Sequence, residues 1–195
     1  MQNPHIEHWH AALWVVRHLR GHPGQGIFLP RKNDLQLYRW CDSDWASCPL
    51  TRKSLIGWFI QLGTSPISWK TQKQQTVSAS SAEAEYRSMT KTIRELNWIK
   101  NILSSLHVSH PAPKRLHCDS QATLHIAKIP VFHERTKHIK VNCHFVQDEI
   151  VHNRLLPSYV PTHIQLVNIF TKTLGTKQFG ETLNQVGHSR LYAPT

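Results

Sequence analysis

The feature that most constrains the fold is one long amphipathic segment near the middle of the chain. The serines within residues 78–81 offer N-caps for a helix that begins there. The apolar residues that follow recur at intervals of three, four or seven, which places them on one helical face. They are Ala82, Tyr86, Met89, Ile93, Leu96, Leu103 and Leu106. We therefore predict a helix that runs to about residue 106 and packs its apolar face on another layer.

Two acidic residues lie at the start of this predicted helix. At about 100° per residue, Glu85 falls within the apolar face, whereas Glu83 lies roughly 120° from its centre. We predict that Glu85 faces a sheet and that Glu83 faces solvent. A carboxylate that faces a core needs compensation by a cation or a metal. The alternative is that Glu85 lies at the margin of the apolar face and reaches solvent or an arginine.

The segments around this helix alternate in a way that is typical of an α/β domain. Three predicted strands, at 35–41, 54–62 and 67–69, precede the helix. A strand at 115–118, a helix that ends before Pro130, a helix at 138–152, a strand at 155–160 and a final helix from about 163 follow it. This order indicates a mixed sheet flanked by helices. An amphipathic helix over 5–20 comes first and ends at the glycine- and proline-containing residues 21–24.

Charge and composition narrow the class of partner. The 195 residues are enough for one domain, and 23 lysines and arginines against 12 acidic residues give a net charge of +11. Such a balance favours a polyanionic partner, either nucleic acid or an anionic membrane surface. We predict no transmembrane span, because no apolar run approaches about 18 residues, and no secretory signal.

Metal-binding modules have weaker support in the sequence. The four cysteines form no CxxC pair, which favours free and mostly buried thiols. The 15 histidines lack the paired spacing of a zinc module, although a histidine-rich metal-binding protein remains an alternative.

Three further carboxylates fall where strands end. Asp119 ends a predicted strand and precedes a helix, although it could be a helix cap, as Ser120 could. Asp42 and Asp44 lie two residues apart on the first strand, so both face the same side, and periodicity does not choose between them. Carboxylates that converge from separate elements suit two divalent cations about 3.5–4 Å apart, as in phosphodiester hydrolysis. Oxygen ligands favour Mg²⁺ or Mn²⁺.

A series of short motifs resembles the ribonuclease H domain of copia-type retrotransposon Pol polyproteins. They occur in the order of that family at 42–46, 51–54, 67–70, 80–87, 118–122, 132–139, 144–146 and 169–172. The resemblance implies a ribonuclease H-like fold with a five-stranded mixed sheet. It also implies hydrolysis of the RNA strand of an RNA–DNA hybrid with two Mg²⁺ or Mn²⁺ ions.

The resemblance assigns the catalytic and metal-binding acids. Asp42, Glu85 and Asp119 match the first three acids of the family, and Asp42 is thereby preferred over Asp44. The fourth position, two residues before Phe170, holds Asn168 instead of aspartate. A neutral amide there is expected to weaken metal binding, because the number of charged ligands tunes affinity. Asn168 could also be an ordinary surface residue, and the chain could bind a hybrid without cleaving it.

Other positions also depart from the family pattern. Asn142 and Ile164 stand where acids are usual, and Arg39 takes the place of a usual glycine. His163 lies near the position of a mobile histidine in some ribonucleases H, and its alternative is a plain loop residue.

Partners, domain limits and location follow from the same resemblance. Candidate nucleic-acid contacts, each of which could instead be a solvated surface charge, are Lys70, Lys73, Arg135, Lys137 and Lys140. Residues 1–33 resemble the end of the preceding reverse transcriptase, 34–187 the ribonuclease H-like domain, and 188–195 a tail. Expected partners are the hybrid and that reverse transcriptase, not a membrane. The expected location is the cytoplasm, within a virus-like particle, or the nucleus rather than outside the cell.

Overall fold

The fold is that of a computed structural model, described here for residues 3–128 and 137–190. The strands are β1 (Gln25–Ile27), β2 (Leu37–Asp44), β3 (Leu55–Leu62), β4 (Ser65–Lys73), β5 (Lys114–Cys118), β6 (Leu155–Tyr159) and β7 (His188–Arg190). The helices are α1 (Ile6–Gly21), α2 (Ser81–Ser105), α3 (Gln121–Lys128), α4 (Lys137–Val151), α5 (Asn168–Thr171) and α6 (Thr176–Gln185), with a 3-10 turn at Thr162–Ile164.

Five strands form the main sheet in the order β4-β3-β2-β5-β6. β2, β3 and β4 are antiparallel neighbours, whereas β5 pairs in parallel with both β2 and β6. The predicted five-stranded mixed sheet flanked by helices is therefore confirmed. β2 lies at the centre, so the residues at its end face elements from both halves of the chain.

The long helix α2 matches its predicted bounds closely and packs on the sheet. Ser80 caps it by accepting a hydrogen bond from the Glu83 backbone N–H at 3.1 Å. Buried residues of α2 contact the sheet in two groups. One surrounds Tyr86, Met89 and Ile93, and the other surrounds Leu96, Ile99 and Leu103. The periodic apolar face thus forms much of the core, as predicted.

Two parts of the predicted secondary structure are wrong. The final helix expected from residue 163 is instead a 3-10 turn, the short helix α5 and the separate helix α6, which Gly175 precedes as N-cap. The second difference is a small sheet of β1 and β7. The sequence analysis assigned no strand to residues 25–27 and placed residues 188–195 in a tail. Three-residue strands carry too little alternation to be recognised in sequence.

The N-terminal helix α1 contributes nothing to this core. None of its residues is buried, and Trp9, Val16 and Leu19 are 61%, 58% and 65% exposed. Across the part of the chain that the structure describes, no helix combines the length and the apolar character needed to cross a membrane.

Candidate active site

Asp42 lies at the centre of the candidate site and is completely buried. Its Oδ2 accepts a short hydrogen bond from the Thr171 hydroxyl, and its Oδ1 lies 3.0 Å from the Lys172 ammonium. Burial raises the pKa of Asp42, and Asp119 raises it further, while Lys172 and Thr171 oppose the shift. Asp44 makes no side-chain hydrogen bond or ion pair within the described residues. The structure thus places Asp42, rather than Asp44, among the other candidate acids.

A glycine in β3 allows this arrangement. Gly57 pairs with Asp42 across the two strands, and α5 packs directly over it. A Cβ at Gly57 would lie 2.7 Å from Thr171 Cγ2 and 3.2 Å from Val167 Cγ2. The absence of a side chain therefore lets α5 approach the sheet closely enough for Thr171 to reach Asp42.

Glu85 faces the sheet from α2, as the helical periodicity predicts. Its side chain is buried, and its Oε1 accepts a hydrogen bond from the Ser43 backbone N–H at 3.1 Å. Oε2 is buried and has no hydrogen-bond partner within the described residues. Burial raises the pKa of Glu85 well above its usual range, and the nearby Asp42, Cys118 and Asp119 raise it further. A cation beside Oε2 would remove this cost.

Glu83 does not face solvent, which corrects the prediction for this residue. Its carboxylate accepts a hydrogen bond from the Ala79 backbone N–H at 2.8 Å and pairs with Arg87 at 2.6 Å. Glu83 thus receives a backbone N–H from the residue before the N-cap, while its own N–H is bound by Ser80. The first-turn carboxylate is therefore a structural group of the helix terminus.

Asp119 follows β5 and lies close to Glu85. Ligand atoms of Glu85, Cys118 and Asp119 lie within 4.8 Å of one another. Oxygen atoms of the two carboxylates could hold a hard divalent cation, whereas the Cys118 sulfur suits a softer metal. Cys118 and Cys41 are both buried and free, as predicted for these thiols. The hydrogen bond with Cys118 and burial raise the pKa of Cys41 well above its usual range.

Asn168 is buried at the start of α5 and is no surface residue. Its Nδ2 donates to the Thr162 carbonyl at 2.7 Å, and its Oδ1 accepts from the Lys172 ammonium at 2.9 Å. The same ammonium lies 3.5 Å from Asp119 Oδ2. Asp42, Asp119 and Asn168 therefore meet at one cation, which the chain itself supplies.

The sequence analysis gave no role to Thr171 or Lys172, although both lie in one of its motifs. The available signal was helical spacing, since residues three and four after Asn168 share its side of a helix. Burial lowers the pKa of Lys172, but the contact with Asp42 and the nearby Asp119 and Glu85 outweigh it, so the pKa is raised.

The remaining candidate residues are less closely tied to the acids. His163 is exposed in the 3-10 turn beside Thr162, and its proposed role stays a prediction. Lys70 and Lys73 are exposed on β4, where Lys70 Nζ lies 5.5 Å from the Trp58 ring centroid and Lys73 Nζ lies 3.2 Å from Cys48 Sγ. Strand alternation places these two lysines on opposite faces of β4. Arg135 and the side chains of Lys137 and Lys140 lie outside the described residues.

Comparison with known protein sequences finds relatives along nearly the whole chain. The chain is 38% identical over 187 residues to a retrovirus-related Pol polyprotein from transposon RE2 of Arabidopsis thaliana, which covers 96% of this chain. It is 37% identical over 191 residues to the RE1 polyprotein of the same plant, an alignment that covers 98% of this chain. It is 31% identical over 179 residues to the TNT 1-94 polyprotein of Nicotiana tabacum, an alignment that covers 92% of this chain. The chain spans 13% of the length of each of these three relatives.

Solved structures show the same fold at low sequence identity. The N-terminal RNase H domain of Rv2228c from Mycobacterium tuberculosis matches with a TM-score of 0.51 and 10% identity, over 77% of this chain and 98% of that one. LC11-RNase H1, solved in complex with an RNA/DNA hybrid, matches with a TM-score of 0.53 and 10% identity, over 70% of this chain and 94% of that one. No family model matches the chain. The extended similarity to the polyproteins establishes that this chain belongs to the copia-type retrotransposon Pol polyproteins, and the solved structures show that it has the ribonuclease H fold.

Proposed function

We propose that this domain hydrolyses the RNA strand of an RNA–DNA hybrid, and that Asn168 slows the reaction. The observation that carries the proposal is the convergence of Asp42, Glu85 and Asp119 from β2, α2 and the end of β5. Carboxylates from separate elements at one sheet edge are the arrangement that two-cation phosphodiester hydrolysis requires.

The residues present fit a divalent cation of the Mg²⁺ or Mn²⁺ kind. Glu85 Oε2 is a buried carboxylate oxygen without a partner within the described residues, and Asp119 supplies a second oxygen nearby. Asp42 would complete the ligand set. When bound, such cations supply an activated water and neutralise charge on the phosphate.

The chain's own residues then orient these ligands. The Ser43 backbone N–H holds Glu85 Oε1, and the Thr171 hydroxyl holds Asp42 Oδ2, so both carboxylates are fixed before any ligand arrives. Asn168 offers a neutral carbonyl oxygen where the family has a carboxylate. One unit of negative charge is thereby missing from the ligand set, which weakens cation binding.

The substrate assignment rests on charge and on the structural neighbour. The net charge of +11 favours a phosphate-rich ligand, and LC11-RNase H1, which shares the fold, is bound to an RNA/DNA hybrid. Contacts to 2′-hydroxyl groups would select the RNA strand. Lys70, Lys73, Arg135, Lys137 and Lys140 remain proposed phosphate contacts.

The test is cleavage of an RNA–DNA hybrid, compared with single-stranded RNA and duplex DNA of the same sequence. We expect slow, hybrid-specific cleavage in Mg²⁺ or Mn²⁺, and we expect Asn168→Asp to raise the rate about tenfold, because it restores one charged ligand. Circular dichroism and hybrid-binding affinity serve as controls. If Asn168→Asp folds and binds the hybrid but cleaves no faster, Asn168 does not explain the slow rate.

A second candidate function is hybrid binding without cleavage. The neutral Asn168 and the Lys172 ammonium among the acids favour it, because both reduce the attraction of the site for cations. It predicts that the native chain binds the hybrid and does not cleave it. Measurable cleavage by the native chain would exclude this candidate.

We also propose that the exposed apolar face of α1 packs against the reverse transcriptase part of the same polyprotein. Trp9, Val16 and Leu19 are exposed in the part of the domain that the structure describes and would be covered by such a neighbour. In the isolated domain, amide hydrogens of α1 should therefore exchange far faster than those of α2, as measured by mass spectrometry. Equal protection of the two helices would contradict this proposal.

A further inference from the structure

The Lys172 ammonium makes three polar contacts at the candidate site. It lies 3.0 Å from Asp42 Oδ1, 2.9 Å from Asn168 Oδ1 and 3.5 Å from Asp119 Oδ2. These oxygens come from β2, from α5 and from the end of β5. An ammonium group placed among oxygens of separate elements resembles a bound cation in its position and in its ligands.

The contacts also divide the acids into two groups. Both oxygens of Asp42 are engaged, one by Thr171 and one by Lys172, whereas Glu85 Oε2 has no partner within the described residues. Asp119 lies between them, because it is near Glu85 and also contacts Lys172. A divalent cation can thus reach the side formed by Glu85 and Asp119 directly. On the side formed by Asp42 and Asn168, it must first displace an ammonium.

We propose that Lys172 competes with the second divalent cation for Asp42, so that this chain binds one cation readily and a second only when the ammonium leaves. The inference rests on the proposed function, since it concerns the same ligand set. Two positive charges cannot share Asp42 Oδ1 at contact distance without a large repulsion.

Asn168 strengthens this competition. Asn168 begins α5 and Lys172 directly follows this helix with an extended backbone, and the two side chains are in contact at 2.9 Å. A carboxylate at position 168 would offer the ammonium a local charged partner, whereas the amide offers only a neutral oxygen. In this chain the charged partners of Lys172 are therefore Asp42 and Asp119.

The test is a Mn²⁺ titration of the metal-free domain, in which binding is measured by calorimetry and by electron paramagnetic resonance of the free Mn²⁺. We expect the native domain to show one readily filled site, and Lys172→Met to bind the second Mn²⁺ about tenfold more tightly. Lys177→Met removes the same charge from an exposed position of α6 and should leave both affinities unchanged. Equal second-site affinity in Lys172→Met and the native domain would overturn the proposal, as would an equal gain in Lys177→Met.

A second measurement uses the native chain and does not depend on the stability of the variant. Lys172 should be acetylated slowly in the metal-free domain and about tenfold faster at saturating Mg²⁺, because the displaced ammonium becomes accessible. Lys177 provides the internal reference in the same mass spectrum. A Lys172 rate that Mg²⁺ does not change would overturn the proposal.

Neither measurement requires a substrate, so the two proposals can fail separately. Displacement of Lys172 without any hybrid cleavage would support the competition and reject the nuclease. Hybrid cleavage with no effect of Lys172→Met on Mn²⁺ binding would support the nuclease and reject the competition.

Discussion

Two buried charges on β2, Asp42 and Arg39, lie in opposite electrostatic surroundings. Asp42 is contacted by a hydroxyl and by an ammonium, both brought from α5 and the residue after it. Arg39 is 4% exposed, and its Nη1 donates to the Arg115 carbonyl at 2.8 Å. Among the described residues, its Nε has no hydrogen-bond partner, and no carboxylate lies within ion-pairing distance of its guanidinium. Burial lowers the pKa of Arg39.

The difference shows where the chain compensates a buried charge and where it does not. At Asp42 the compensation is a cation that a metal could replace, so the buried charge serves a candidate function. At Arg39 the compensation is a neutral carbonyl, and a buried charge held only by neutral groups reduces stability. The resemblance to the family also puts a glycine at position 39, where no such charge would be buried.

The largest expected effect concerns the chemistry at Asp42. Asp42→Asn should lower the rate of hybrid cleavage about a hundredfold or more, because it removes a charged ligand that contacts the reacting centre. Asp44→Asn, two residues further along the same strand, should change the rate little. Steady-state cleavage of a labelled hybrid measures both. Similar losses of cleavage rate in the two variants would mean that any loss of charge at the end of β2 lowers the rate, and that Asp42 has no specific role.

The next effect concerns stability at the other end of β2. Arg39→Met should raise the free energy of unfolding by about 1–3 kcal/mol, because an apolar side chain replaces a buried and uncompensated charge. Urea unfolding measures it, with Arg115→Met as a control that removes the same charge from an exposed position. The rate of hybrid cleavage should stay unchanged in both variants. A loss of stability in Arg39→Met would show that its bond to the Arg115 carbonyl outweighs the cost of burial.

The smallest effect depends on pH and on metal. Because the pKa of Glu85 is raised on folding, the metal-free folded state holds a proton that the unfolded state has released only at a pH between the unfolded-state and folded-state pKa values. Stability from this group is therefore present below the usual carboxyl range and is lost as pH rises through the folded-state pKa. Glu85→Gln should stabilise the metal-free domain by about 1 kcal/mol at neutral pH and not in acid.

Urea unfolding with and without Mn²⁺ checks this prediction. Added Mn²⁺ should make the native domain more stable than Glu85→Gln at neutral pH, because native Glu85 binds a cation that glutamine holds poorly. Arg39→Met should keep its advantage in Mn²⁺, since the cation reaches only the Asp42 end. If Mn²⁺ leaves Glu85→Gln the more stable protein, Glu85 is no metal ligand.

Much of the fold could be predicted because its main elements carry periodic patterns. The apolar face of α2 predicted its bounds and also which carboxylate faces the sheet. β4 was predicted at 67–69 only, whereas it spans Ser65–Lys73, because it is the edge strand and its polar second half shows no apolar alternation. The break between α5 and α6 was missed, since their combined apolar spacing resembles one continuous helix.

The candidate site was predictable only in its acids. Asp119 was supported by its position after a strand, and Glu85 by helical periodicity and by the resemblance. Asp42 was preferred over Asp44 by the resemblance alone. In the structure, contacts with Thr171 and Lys172 separate Asp42 from Asp44. The structural role of Glu83 at the helix terminus was missed, although a serine three residues before a glutamate is a sequence signature of a helix start.

The sequence by itself determined the fold class, the family and the neutral residue at position 168, because each depends on local pattern and on the identity of residues. Only the tertiary structure decided what surrounds Asp42. Thr171 and Lys172 follow it by more than a hundred residues and reach it because α5 packs on Gly57. No local pattern encodes such a contact, since it depends on how two distant segments pack. The same packing brings the Lys172 ammonium to 3.0 Å from Asp42 Oδ1.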